Sequence, residues 1–137
     1  MGINSAIDHY KQVSSRANED INSYELVQML FTNALNKIES ASGHMQRGEI
    51  AQKGQCISIA ITIIDALQAS LDRDKGGELA QNLFKLYHYI MEQLLIANLQ
   101  NSIEILEHVH QLLVTVKEGW DGISVQAQEI MQQQKTQ

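Results

Sequence analysis

Proline is absent from the 137 residues of the chain, and this absence limits the fold more than any other feature. Proline breaks helix interiors and is frequent in the turns of β proteins, so a chain without it can form long uninterrupted helices. Long stretches are also rich in Ala, Leu, Ile, Glu, Gln and Lys, most of which favour helices. The sequence therefore predicts an all-α fold in a chain whose length fits one domain.

Four helical patterns follow one another along the chain. The first starts at Asn22 or Ser23 and ends in the segment ASGHMQRGE. The others are predicted at residues 49–71, 77–99 and 102–120, with Asn101 or Ser102 as the cap of the last. We expect these helices to form a single bundle domain over residues 19–122.

Two terminal segments flank this domain. The arm of residues 1–18 carries Ile3, Ile7 and Tyr10 on one helical face, so we predict a short amphipathic helix there. The tail of residues 123–137 is rich in glutamine and has little to bury, so we expect it to be frayed or disordered.

The segment CISIAITIID, residues 56–65, is ambiguous because its isoleucines alternate as in a β-strand. It lies within a stretch from Glu49 to Leu71 that is too long for a strand, so we predict a helix. The apolar arc of this helix is roughly twice as wide as a surface helix needs. Two explanations remain open: the helix is packed on two sides, or one side is a groove for another chain.

Charge and cysteine content exclude several classes of function. The net charge of −6 provides no basic surface for nucleic acid or anionic membranes. The longest apolar stretch, residues 56–64, is too short to span a bilayer. Cys56 is alone and cannot form an internal disulfide, so we expect a buried thiol in an intracellular protein.

Three local motifs suggest chemistry, and each lacks part of what that chemistry requires. HMQRG resembles the histidine phosphotransfer pattern, but His44 is expected in a turn rather than on a rigid helix face. Glu107 and His110 have the spacing of di-iron bundles, which need a second such pair. Asp72 and Asp74 begin like a calcium loop that has no glutamate at its twelfth position. No metal or cofactor is predicted, and a phosphotransfer bundle using His44 is the alternative function.

ELVQMLFTNA and GEIAQKGQCISIAITIIDALQASLD are similar to two helices of the FliS family of flagellar secretion chaperones. KGGELAQNLFKLYHYIMEQLLIANLQN follows the family pattern almost position for position, and Trp120 resembles part of its last helix. Ile7 and Tyr10 resemble the N-terminal cap motif. The resemblance covers about residues 7 to 124.

The resemblance implies a fold, a partner and a set of contact residues. The fold is an antiparallel bundle of four long helices with a short N-terminal cap helix. The function is that of a cytosolic chaperone, a monomer or weak homodimer without cofactor, that binds the disordered C-terminal region of flagellin and contacts the flagellar export gate when flagellin is bound. The predicted client-binding groove and cap are Ile7, Tyr10, Met29, Ile57, Ile61, Ile64, Leu67 and Leu71.

Overall fold

The structure is a computed structural model that describes residues 23–135, with side chains described for residues 23–122. The described part is all helical and contains α1 (Ser23–Gln46), α2 (Ile50–Ala69), α3 (Gly77–Gln100) and α4 (Ile103–Lys135). The all-α prediction is confirmed, and the ambiguous segment CISIAITIID lies in α2. The N-terminal arm with Ile7 and Tyr10 lies outside the described residues, so the cap helix and the domain boundaries remain predictions.

The four helices form an antiparallel bundle in which each helix packs against two others. α1 and α3 both contact α2 and α4. Between α1 and α4, Glu39 bonds His110 and Gln28 bonds Asp121, so residue numbers rise along one helix as they fall along the other. This ring order places the groove between α2 and α3 on the opposite side of the bundle from the groove between α1 and α4.

The core consists of apolar side chains from all four helices, which recur every three or four residues and so face inward. Burying each large apolar side chain contributes about 1.5–3 kcal/mol. Tyr87 is buried as well, and burial raises the pKa of its phenol. The largest fully buried side chains are Phe31, Leu30, Ile38, Ile57, Ile63, Ile64, Leu67, Ile90, Leu94, Leu106, Leu113 and Val109.

The end of α1 differs from the prediction. The helix continues through Gly43 and His44, so the expected turn at His44 is wrong. The reversal occurs at Gly48, which has a φ of 72°, and the Glu49 amide donates to the His44 carbonyl at 2.9 Å. A left-handed glycine just after a helix is a common way to end it. Gly43 needs no special conformation and is tolerated inside the helix.

Lys53 connects α2 to the junction of α3 and α4. Asn101 ends α3 with a φ of 53°, and Ser102 caps α4 by accepting from the Ile105 amide at 3.2 Å. Of the two predicted caps, Ser102 is therefore the one that serves α4. Lys53, only 6% exposed, donates from Nζ to the Asn98 carbonyl and to Asn101 Oδ1, both at 3.1 Å. These bonds satisfy a buried cation and hold α2 in register with α3.

α4 extends to Lys135, well past the predicted end near residue 120. The predicted end lies near residue 120 because the apolar pattern weakens there. Alanine, glutamine, glutamate and methionine all have favourable helix propensity, and no glycine follows Gly122, so the backbone can continue as a helix without an apolar stripe.

Candidate functional site

The predicted groove residues fall into three groups in the structure. Ile57, Ile64 and Leu67 are 2%, 0% and 1% exposed and lie in the core. Ile61, Met29 and Leu71 are half-buried, and Ile61 and Leu71 pack against the core cluster. α2 packs against both α1 and α3, which accounts for most of its wide apolar arc. A client contact by any of these residues remains a prediction.

The most exposed apolar side chains lie elsewhere, on α3 and at the start of α2. Leu95 is 55% exposed, Leu99 is 85% exposed and Ile50 is 73% exposed. Met91, Leu95 and Leu99 follow one another every four residues, so they share one side of α3. Such a group of leucine and isoleucine side chains on the surface of a folded domain marks an interaction site.

Two hydrogen bonds show that this side of α3 borders α2. Lys53 reaches the carbonyl of Asn98, and Gln68 Nε2 donates to the carbonyl of Phe84 at 2.9 Å. Asn98 lies seven residues after Met91 and therefore on the same side of α3. The outer surface along this groove, which we call the α2/α3 face, consists of Ile50, Gly54, Ile61, Met91, Leu95 and Leu99.

Gly54 lies inside α2 on this face, beside Lys53. Apart from the backbone of α2 itself, no heavy atom of the described residues lies within 4 Å of a Cβ atom added to Gly54. Glycine in a helix interior costs about 1 kcal/mol relative to alanine, and the bundle does not need the missing side chain for packing. The position is therefore open to an approaching chain, which can come closer to the backbone here than over any larger residue.

Histidine side chains form hydrogen bonds with carboxylates and with Tyr89 on the surface of the bundle. His110 Nε2 lies 2.9 Å from Glu39 Oε1 across α1 and α4, and the Tyr89 hydroxyl lies 3.3 Å from His108 Nε2. Among residues 23–122, no three His, Cys, Asp or Glu side chains come together as metal ligands. Asp72 Oδ1 accepts from the amides of the loop that it begins, at 3.0 and 3.2 Å, so it organises a turn.

His44, the candidate for phosphotransfer, lies in the last turn of α1 and is engaged by its neighbours. Its Nδ1 is 2.9 Å from Glu49 Oε1, and Arg47 Nε donates to the same oxygen at 2.7 Å. The hydrogen bonds from His44 and then Arg47 hold the pKa of Glu49 below its usual value. The side chain of His44 is only 25% exposed, so this arrangement ties a helix end to a loop rather than presenting a nucleophile.

A family model described as flagellar protein FliS matches residues 5–128. The chain belongs to the FliS family. The predicted resemblance is thus confirmed over most of the chain, including all of α1, α2 and α3.

Proteins named flagellar secretion chaperones are similar to this chain over most of their length. The flagellar secretion chaperone FliSB of Pseudomonas aeruginosa is 44% identical over 120 residues, which cover 87% of this chain and 95% of that protein. The flagellar secretion chaperone FliS of Salmonella typhimurium is 41% identical over 125 residues, covering 90% of this chain and 93% of that protein. The FliS of Escherichia coli is 40% identical over 97 residues, covering 70% of this chain and 71% of that protein.

One helix of this FliS family member, α2, is long and apolar enough to cross a membrane by length and composition alone. It packs against α1 and α3, and nine of its residues are buried, as expected for the core helix of a bundle. The apolar character of α2 is therefore explained by packing within the chain.

The exposed leucines of α3 were not among the predicted site residues. The sequence of α3 contains one apolar stripe formed by Leu79, Leu83, Leu86, Ile90, Leu94 and Ala97, of which Leu79 is 60% exposed. A second stripe, Met91, Leu95 and Leu99, has the same four-residue spacing on another side of the helix. Two apolar stripes on one helix are the signal that could have identified this surface.

Proposed function

We propose that this chain is a cytosolic export chaperone that binds the disordered C-terminal segment of flagellin. It keeps flagellin from polymerising prematurely and assists its delivery to the flagellar export apparatus, without catalysis and without a cofactor. Membership of the FliS family supports the class of function. The α2/α3 face, with Leu95, Leu99 and Ile50 exposed beside Gly54, is the observation that carries the proposal.

The energetics of a disordered client require an apolar face of this kind. Ordering each client residue costs about 1–2 kcal/mol, and burying one large apolar side chain returns about 1.5–3 kcal/mol. A helical turn contains about 3.6 residues, so the client must bury about two apolar side chains on each turn to offset this cost. Amphipathic helical segments achieve this by inserting residues at spacings of three and four into a groove.

We propose that the client contacts the α2/α3 face directly through Ile61, Met91 and Leu95. Ile57, Ile64 and Leu67 of the predicted groove lie beneath this face, where they hold α2 in position. Met29 and Leu71 are half-buried and are retained as proposed contacts at the edges of the client path.

Replacing Leu95 with glutamate tests this assignment. The carboxylate would face the apolar side chains of the client, so the affinity for a peptide of the flagellin C-terminal segment should fall about tenfold or more, as measured by calorimetric titration. Leu79→Glu is the matched control, because Leu79 is on the same helix and is similarly exposed but lies outside the face. Its affinity should stay within about threefold of the unchanged protein. Equal losses in both variants would refute the assignment of the client to this face.

Removing residues 1–18 tests whether the arm competes with the client. Ile3, Ile7 and Tyr10 share one face of a segment too short to be a stable helix alone, so it gains order only by docking on apolar surface. An arm held by about 1.4 kcal/mol would weaken client binding tenfold, so the truncated protein should bind the flagellin peptide about tenfold more tightly. If the truncated protein stays folded but binds more weakly, the arm is a clamp, with Tyr10 touching the client.

A further inference from the structure

The most exposed end of the α2/α3 face carries a projecting side chain and a recess close to each other. Leu99, near the end of α3, is 85% exposed. Gly54 lies across the groove on α2, because its neighbour Lys53 bonds the carbonyl of Asn98. A Cβ atom added to Gly54 meets no described residue outside α2 within 4 Å. Leu99 therefore does not fill the recess that Gly54 leaves in the same chain.

A projecting leucine and a recess on one face make that face complementary to a second copy of itself. A two-fold axis in the plane of contact, midway between Leu99 and Gly54, brings the leucine of each copy onto the glycine of the other. The two backbones can approach closely there because glycine has no side chain to keep them apart. Ile50 and Leu95, one turn before Gly54 and Leu99, are 73% and 55% exposed and would be covered in the same contact.

The charge distribution permits this contact, although two copies repel each other overall. Each chain has a net charge of −6, but none of the residues of the α2/α3 face is charged. The carboxylates that border its exposed end are paired within the chain, Glu92 with His88 at 3.1 Å and Glu49 with Arg47 at 2.7 Å. An uncharged apolar patch is complementary to another uncharged apolar patch, and a second copy supplies one.

We propose that the α2/α3 face docks on the same face of a second copy of this chain when no client is bound. Leu99 of each copy packs over Gly54 of the other, and Ile50 and Leu95 complete the contact. The apolar area is small, so the dimer is weak and reversible, and it shields the exposed leucines until a client replaces the second copy. The docking itself does not depend on flagellin binding, whereas the competition between client and second copy rests on the proposed function.

Sedimentation velocity of the full-length chain without client, from about 5 to 500 μM, tests the proposal through the concentration dependence of the dimer. Leu99→Glu should weaken the dimer about tenfold or more, because it places a carboxylate against the apolar surface of the other copy. Leu79→Glu makes the same change at an exposed position of α3 outside the face, and its dissociation constant should stay within about threefold. Added salt should strengthen the dimer, because it screens the repulsion between two acidic chains.

A chain that stays monomeric over the whole range would overturn the proposal, and this is the result expected if residues 1–18 cover the face instead. A dimer that Leu99→Glu and Leu79→Glu weaken equally would also overturn it. Adding the flagellin peptide separates this inference from the proposed function. Complexes of one chain with one peptide support competition for the face. A dimer that needs Leu99 and persists with the peptide bound supports the contact between copies and refutes the assignment of the client to this face.

Discussion

Replacing Gly54 with leucine is expected to weaken binding of the flagellin C-terminal peptide by about thirtyfold or more while leaving the bundle folded. The new side chain would project into space above α2 that no described residue occupies. A client packed closely over this position would have to move away from its neighbouring contacts with Leu95 and Ile61. Overpacking of this kind costs typically 1–3 kcal/mol, and thirtyfold corresponds to about 2 kcal/mol.

The same substitution should not destabilise the free protein. In the part of the chain that the structure describes, a Cβ at Gly54 meets no heavy atom within 4 Å beyond the backbone of α2, and leucine is a far better helix former than glycine. Thermal unfolding followed by circular dichroism should therefore show an unchanged or higher Tm. A loss of binding in a more stable protein cannot be attributed to unfolding.

Gly119→Leu is the matched control for Gly54→Leu. Gly119 lies on the exposed side of α4, and a Cβ there also has no neighbour within 4 Å. Both substitutions add the same side chain to an open helix position, but only Gly54 is on the α2/α3 face. If Gly54→Leu binds the peptide as well as Gly119→Leu does, no chain packs over Gly54 and the proposed client path is wrong.

The helices of this fold were predictable because local sequence determines them. Glycine and short polar residues mark helix boundaries, since α1 ends just before Gly48, α3 begins after Gly76 and ends at Asn101, and the apolar spacing identifies the stretches between. The predicted turn at His44 rested on Gly43 as a helix break, whereas the left-handed conformation that ends α1 is at Gly48. The end of α4 was not predictable from an apolar stripe, because a helix can continue on propensity alone.

The exposed apolar surface of the bundle was less predictable because one apolar stripe looks like another in the sequence. Ile57, Ile61 and Ile64 form the densest stripe of α2, but density indicates burial, and α1 and α3 cover two of the three. Whether a leucine faces the core or the solvent depends on the position of the neighbouring helices. That position is fixed by contacts between distant residues, such as Lys53 with Asn98, which no local pattern reveals.

Under the proposed function, α2 has two roles that impose opposite requirements on neighbouring residues. Its inner sides must be apolar and tightly packed, which Ile64 and Leu67 provide. Its outer side must carry a small residue, so that another chain can approach the backbone, and an apolar residue for that chain to contact. Gly54 and Ile61 meet these two requirements. Ile61 and Ile64 are only three positions apart but serve different roles, so substitutions at these two positions should separate folding from binding.

Replacing Ile64 with aspartate should remove most of the folding stability of the bundle. Ile64 is 0% exposed in the core, so the variant buries a carboxylate without a partner and leaves a cavity as well. The expected loss in the free energy of unfolding is more than about 4 kcal/mol, a large part of the 5–15 kcal/mol typical of a domain. Urea unfolding measures this loss, and Ile64→Ala, expected to cost about 2–5 kcal/mol, provides a value if the aspartate variant does not fold.

Ile61→Asp, one turn earlier in α2, should reduce client affinity strongly and folding stability only moderately. Ile61 is half-buried at the edge of the α2/α3 face, so its aspartate can reach water, and the loss of unfolding free energy should be about 1–2 kcal/mol. Its carboxylate would still oppose the apolar side chains of the flagellin segment, so peptide affinity should fall about tenfold in a protein that remains folded. If Ile61→Asp unfolds the bundle as completely as Ile64→Asp, then Ile61 is a core residue and the face begins farther from the axis of the bundle. If it leaves both stability and affinity unchanged, the client does not pass over the middle of α2.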